Sequence, residues 1–194
     1  MIDTVIFDLG NVLAEYDWQG FLGTFGYDRK TYDAVAHAVF LNEDWVNGDA
    51  GQISAGDWMQ SFTDNAPDYA KQIEEVYASL GGCIRRFEYT DSWIARLRER
   101  GMRLYYLSNY SEGLYEKTKD QLSFIDTFDG GIFSYKERCI KPDTEIYLRL
   151  LERYKIVPEH AVFYDDRIEN VEAALKLGIH GRLFTRENVM EEMA

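Results

Sequence analysis

Val5-Ile6-Phe7-Asp8-Leu9-Gly10-Asn11-Val12-Leu13 carries an apolar run into a single carboxylate and then a glycine turn. The run from Thr4 to Phe7 is short, β-branched and aromatic, and apolar on both faces. That is the pattern of a central parallel strand covered by helices on each side. Ligands gather at the carboxyl ends of such strands, so this one is expected to deliver Asp8 to a site. Taken alone, the stretch also fits an Asp that merely caps the following turn. The rest of the chain separates the two readings.

Three later segments repeat the arrangement in a fixed order. Leu104-Tyr105-Tyr106-Leu107 ends in Ser108-Asn109, Arg138-Cys139-Ile140 leads to Lys141-Pro142-Asp143, and Ala161-Val162-Phe163-Tyr164 ends in Asp165-Asp166. Each is weak evidence alone, but strand-terminal motifs in context are far more specific than any one of them. Together with the first segment they resemble the four motifs of the haloacid dehalogenase superfamily, whose members are mostly phosphatases using an aspartate nucleophile and Mg²⁺. The resemblance covers the whole chain except the stretch from about Tyr16 to Glu88.

Composition sets the bounds. The 194 residues can bury a substantial core as one domain with a sizeable insertion, or as two small domains. A formal net charge of -13 argues against nucleic acid or an anionic membrane as partner, since both need a basic face. Asp3 and Asp8 come too early for a secretory leader, and no apolar run is long enough for a membrane helix, so a cytoplasmic protein is expected. Cys83 and Cys139 show no metal spacing and are expected to be thiols. A monomer or a homodimer fits equally well.

Candidate strands at 4–8, 103–108, 131–134, 161–165 and 181–184 alternate with helical patterns at 91–100, 144–154 and 169–177, which predicts an α/β fold with a doubly wound parallel sheet. Between Tyr16 and Glu88 the alternation stops. Short helices are expected there at 29–40, 53–64 and 68–80, punctuated by Asn47-Gly48 and Ala66-Pro67. The resemblance implies that this segment is a helical cap inserted after the first strand, giving a core of residues 1–15 and 89–194 and a cap of residues 16–88, with hinges near Tyr16 and Phe87.

On this resemblance Asp8 is both nucleophile and metal ligand. An anionic nucleophile reaches a phosphoryl group only if charge is neutralised, which Mg²⁺ does while holding the attack in line. Mg²⁺ wants hard oxygen ligands. The Gly10 carbonyl and Asp166 would supply them, with Asp165 as supporting or alternative ligand. Lys141 would bridge Asp8 and the phosphate, while Ser108 and Asn109 would hold its non-transferring oxygens. Asn170 reads only as a cap of the helix that follows. Trp18, Phe21, Trp45 and Trp58 can stack on a sugar ring or simply fill core.

One departure stands out. Most phosphatases of the superfamily carry a second Asp two residues after the nucleophile as general acid, and here that position is Gly10. Such an acid typically contributes roughly 10²- to 10⁴-fold. Glu15 and Asp17 are the nearby substitutes. The Asp-Leu-Gly-Asn-Val stretch resembles a branch that includes an α-D-glucose-1-phosphate phosphatase, whose leaving oxygen departs more readily. The expected function is a Mg²⁺-dependent phosphatase for a small phosphorylated metabolite, such as a sugar phosphate. The alternatives are a metal-free 2-haloacid dehalogenase, against which the acidic pair counts, and a binding or regulatory protein that has lost turnover.

Overall fold

The computed structural model describes residues 1–187 and 189. Strand β1 (Thr4–Phe7) runs into a tight turn and then β2 (Ala14–Tyr16), which pairs antiparallel with β3 (Ile84–Arg86). The main sheet continues with β4 (Arg103–Ser108), β5 (Gly130–Phe133), β6 (Ala161–Asp165) and β7 (His180–Leu183), in the order β5-β4-β1-β6-β7 and parallel throughout. β1 lies at the centre, where the chain stops building outward on one side and starts on the other. Doubly wound sheets place their ligands at that switch. Register brings three strand ends level: Phe7 pairs with Tyr106 on one side and Tyr164 on the other.

The helices between these strands cover both faces. In chain order they are α1 (Trp18–Gly23), α2 (Arg29–Val39), α3 (Glu43–Asp49), α4 (Ala55–Asn65), α5 (Ala70–Ala78), α6 (Thr90–Glu99), α7 (Glu112–Thr118), α8 (Ser134–Glu137), α9 (Thr144–Tyr154) and α10 (Ile168–Lys176). Alternation along β1 splits the core as a pleated strand must. Val5 and Phe7 face α6, where the Phe7 and Trp93 rings meet edge to face at 4.8 Å, while Ile6 turns to the side filled by Tyr147, Leu150 and Ala174. The expected α/β architecture is therefore present, with strand boundaries displaced by at most one residue.

The stretch from α1 to α5 leaves and returns through the β2–β3 ribbon, which periodicity did not anticipate because three-residue strands are too short to show it. Its apolar side is continuous with the core on the α6 side of the main sheet. The ribbon ends, Ala14 opposite Arg86 and Tyr16 opposite Ile84, stand beside the expected hinge positions. The expected helix at 53–64 begins instead at Ala55, where the Ser54 hydroxyl accepts from Asp57 N–H, and the one at 68–80 opens as a 3-10 turn at Pro67–Tyr69.

Asn47-Gly48 does not break the chain as expected. Both residues lie inside α3, capped at its start by Asn42, whose side-chain oxygen accepts from Asp44 and Trp45 N–H. Gly48 is there for close packing: a Cβ would stand 2.6 Å from Trp58 Nε1. Trp58 is buried against Trp45 and Phe62, and its Nε1 donates to the Asp44 carbonyl at 2.9 Å. α3 is thereby pinned to α4 at its amino end. Cys83 and Cys139 are buried thiols, and among the described residues no helix is long and apolar enough to cross a membrane.

Candidate active site

A cavity of about 490 Å³ is lined by residues from the ends of β1, β4 and β6, by the Lys141 loop and by the helical segment. Asp8 follows β1 directly. Its Oδ1 accepts from Leu9 N–H at 2.7 Å and from the Ser108 hydroxyl at 2.9 Å, with Lys141 Nζ 3.0 Å away. No donor among the described residues reaches Asp8 Oδ2, which leaves one oxygen free for chemistry.

Lys141 is buried, its side chain only 1% exposed, and its Nζ also lies 2.6 Å from Asp165 Oδ2. A lone buried ammonium would be costly, and this one is held between two carboxylates. Burial works to lower the Lys141 pKa, but Asp8 and Asp165 outweigh it and keep the amine above its ordinary value. Burial pushes Asp8 up to about 7, opposed by Lys141 and reinforced by the charge of Asp165. A second cation is the natural remedy for so much negative charge.

Asp165 and Asp166 differ in their surroundings. Asp165 is fully buried, and both its oxygens are occupied: Arg167 N–H donates to Oδ1 at 2.9 Å, Asn170 Nδ2 donates to both oxygens, and Lys141 takes Oδ2. Among the described residues the Asp166 carboxylate accepts from one side chain, Asn11, whose Nδ2 lies 3.1 Å from Oδ2, and burial raises its pKa. One carboxylate oxygen from each of Asp8, Asp165 and Asp166 lies within 4.8 Å of the other two.

The sequence-predicted residues thus converge on one end of the sheet, with two refinements. The Asn109 side chain clamps the Lys141 loop, its Nδ2 donating to the Lys141 carbonyl at 2.9 Å and its Oδ1 accepting from Lys141 N–H at 2.8 Å. Gly10 has no positive φ, and a Cβ there would meet nothing within 4 Å; the left-handed residue of the turn is Asn11 at φ 56°. The suggested substitute acids are occupied elsewhere. Glu15 pairs with Arg85 and Arg186, and Asp17 caps α1 through Gly20 N–H, so neither lines the cavity. Trp58 and Phe21 are packing residues, whereas Trp18 and Trp45 do line the cavity.

Sequence reasoning missed three side chains. Asn11 orients Asp166 and accepts from Tyr16 N–H, Asn170 holds Asp165, and Asp49 reaches the cavity from the end of α3. Burial pushes Asp49 up to about 8, with the charge of Asp8 adding and Lys141 opposing. A carboxyl whose folded pKa lies above its unfolded value binds more protons in the native state, so stability falls as pH rises from about 4 to about 8. Asp49→Asn is therefore expected to flatten part of that fall in Mg²⁺-free protein, Asp8 and Asp166 contributing to the remainder. Melting temperatures at about pH 5 and about pH 8.5 measure it, and an unchanged slope contradicts the assignment.

Comparison with known proteins fits this geometry. Residues 2–178 match the family model described as haloacid dehalogenase-like hydrolase. The sesquiterpene phosphatase astK of Aspergillus oryzae is 26% identical over 176 residues, covering 91% of this chain and 86% of that protein. A phosphorylated carbohydrates phosphatase of Thermotoga maritima is 46% identical over only 52 residues, 27% of this chain and 24% of that one. The chain spans just 35% of another relative, the drimenol cyclase drtB of Aspergillus calidoustus, at 24% identity over 98% of this chain. In fold, a HAD family enzyme of Bacteroides thetaiotaomicron, solved with magnesium and inorganic phosphate, superposes with a TM-score of 0.76 at 22% identity, covering 92% of each chain. With the family model matching residues 2–178, most of its length, the chain belongs to the haloacid dehalogenase-like hydrolases.

Proposed function

We propose that the protein is a Mg²⁺-dependent phosphatase that hydrolyses a small phosphorylated metabolite through an aspartyl-phosphate on Asp8. The observation that carries this reading is the Asp8 carboxylate itself: Oδ1 is fixed by three donors and Oδ2 has none, as a nucleophile needs. The names of the relatives support it, two being phosphatases. Residues 16–88 would be the cap over the site, and residues 1–15 and 89–194 the core, whose last five residues lie outside the described ones.

The donor set fits Mg²⁺, since three carboxylates converge and all offer hard oxygens. Asp8, Asp166 and the Gly10 carbonyl would hold the ion, with Asp165 supporting from behind because its oxygens are already taken. The ion would neutralise phosphate charge and relieve the repulsion around Asp8. Lys141 pulls Asp8 toward its ionised form and offers its charge to the phosphate. Ser108 steadies Asp8 Oδ1, and the part of Asn109 would be its backbone N–H, its side-chain amide being spent on Lys141. Excess Mg²⁺ is expected to raise the melting temperature by mass action. Asp166→Ala should lose that response; if only Asp165→Ala loses it, the ligand assignment is reversed.

The leaving group is read from the wall. Trp18, Phe40, Trp45, Val46, Ile84, Leu114 and Ile140 give the cavity an extensive apolar wall, with Tyr16, Tyr110, Asp49 and Arg167 as polar side chains beside it. This favours an alcohol with a hydrocarbon or aromatic body over a hexose, and the relative named a sesquiterpene phosphatase agrees. Phosphate release from prenyl monophosphates and hexose 1-phosphates, each with Mg²⁺, tests it. The prenyl esters should show the higher kcat/KM, and a hexose preference restores the sugar-phosphate expectation.

A further inference from the structure

The turn after the nucleophile offers no side chain at Gly10, yet an ordinary alkoxide leaves slowly unless it is protonated. We infer that Asp49, delivered from α3, is the proton donor to the leaving oxygen and then the general base for water. The inference rests on the phosphatase reading above.

Geometry carries it. Asp49 lines the same cavity as Asp8, and among the described residues its carboxyl has no hydrogen-bond or ion-pair partner. Every other carboxyl lining that cavity is committed to the cluster around Asp8 and Asp166. Its backbone is fixed to the core: the Ser134 hydroxyl donates to the Asp49 carbonyl at 2.5 Å and accepts from Tyr110 N–H at 2.9 Å, one residue beyond the Ser108-Asn109 turn. Just after α3, Gly51 at φ +63° passes so close to Tyr135 that a Cβ would stand 2.2 Å from its carbonyl oxygen, which fixes the exit of the helix. An unpaired carboxyl on an anchored backbone has no evident structural task here. Its raised pKa keeps a proton available near neutral pH, as a general acid requires.

The steps balance. Asp8 Oδ2 bonds to phosphorus as the P–O bond to the alcohol breaks, and the Asp49 proton goes to the departing oxygen, releasing the alcohol. The Asp49 carboxylate then takes a proton from water, whose oxygen bonds to phosphorus while the Asp8–phosphorus bond breaks. Inorganic phosphate leaves, and Asp8 is a carboxylate and Asp49 a carboxylic acid once more.

Single-turnover alcohol release, with excess enzyme and Mg²⁺, from benzyl phosphate and from para-nitrophenyl phosphate tests this. The two esters are similar in shape, but only the first needs protonation on departure. Asp49→Asn is expected to lower the ratio of the benzyl to the nitrophenyl rate by about 10²-fold or more, and Asp49→Glu to restore part of it. An equal loss on both esters, or no change in the ratio, overturns the inference. So does a fall in the ratio on Tyr16→Phe, which removes the neighbouring cavity phenol, with none on Asp49→Asn. If wild-type protein releases alcohol from neither ester under Mg²⁺, the phosphatase reading itself fails, an outcome distinct from the others.

Discussion

Asp8→Asn is expected to abolish phosphate release while leaving the fold intact. An amide cannot form the acyl phosphate, and removing the nucleophile from a site whose residues act as a unit costs roughly 10⁴- to 10⁶-fold in kcat. Stability should not suffer. The Asn carbonyl can still accept from Leu9 N–H and Ser108, and a buried carboxylate whose pKa is already pushed up to about 7 loses its desolvation cost when made neutral. Turnover on any ester, with melting recorded alongside, measures both. A purified variant that folds and keeps more than a few per cent of wild-type turnover removes Asp8 from the role.

Lys141→Met has the second large effect, and this one is structural as well as catalytic. Nζ sits 2.6 Å from Asp165 and 3.0 Å from Asp8, with the lysine side chain 1% and the Asp165 side chain 0% exposed. Removing the cation leaves two buried carboxylates without a counter-charge, which costs about 3–5 kcal/mol. At the size of this chain that lowers the melting temperature on the order of 10 °C. Mg²⁺ should recover part of the loss, because it would offset the same negative charge. A variant as stable as wild type in the absence of Mg²⁺ would show that the carboxylates are protonated and that the ion pairs contribute nothing.

The strands that deliver Asp8, Ser108 and Asp165-Asp166 were legible because a buried parallel strand writes an apolar run and the site follows at its end. Lys141 was legible only through the order of the motifs, since a lysine before proline carries no burial signal of its own. Asn170 read as a helix cap because its bonds to Asp165 depend on how α10 packs against β6, a tertiary fact. Asp49 was hidden for a similar reason. Asn47-Gly48-Asp49 looks like a turn, but the Asn42 cap and the close fit of Gly48 against Trp58 belong to a helix whose end lies near a strand terminus more than forty positions away in sequence. The β2–β3 ribbon is too short for its period to stand out. The vacant side-chain space at Gly10 was visible from the start, but a positive φ there was an equally good account until the backbone placed that φ at Asn11.

In a phosphatase of this kind Asp8 would carry the phosphoryl group between the two half-reactions. Acid quenching of wild-type protein during turnover with Mg²⁺ and an active ester, followed by peptide mass analysis, tests it most directly. One phosphoryl adduct is expected on the peptide bearing Asp8, absent without Mg²⁺ and absent in Asp8→Asn. Release of phosphate with the adduct on another residue, or an ester formed at Asp8 from a haloacid without metal, would contradict it.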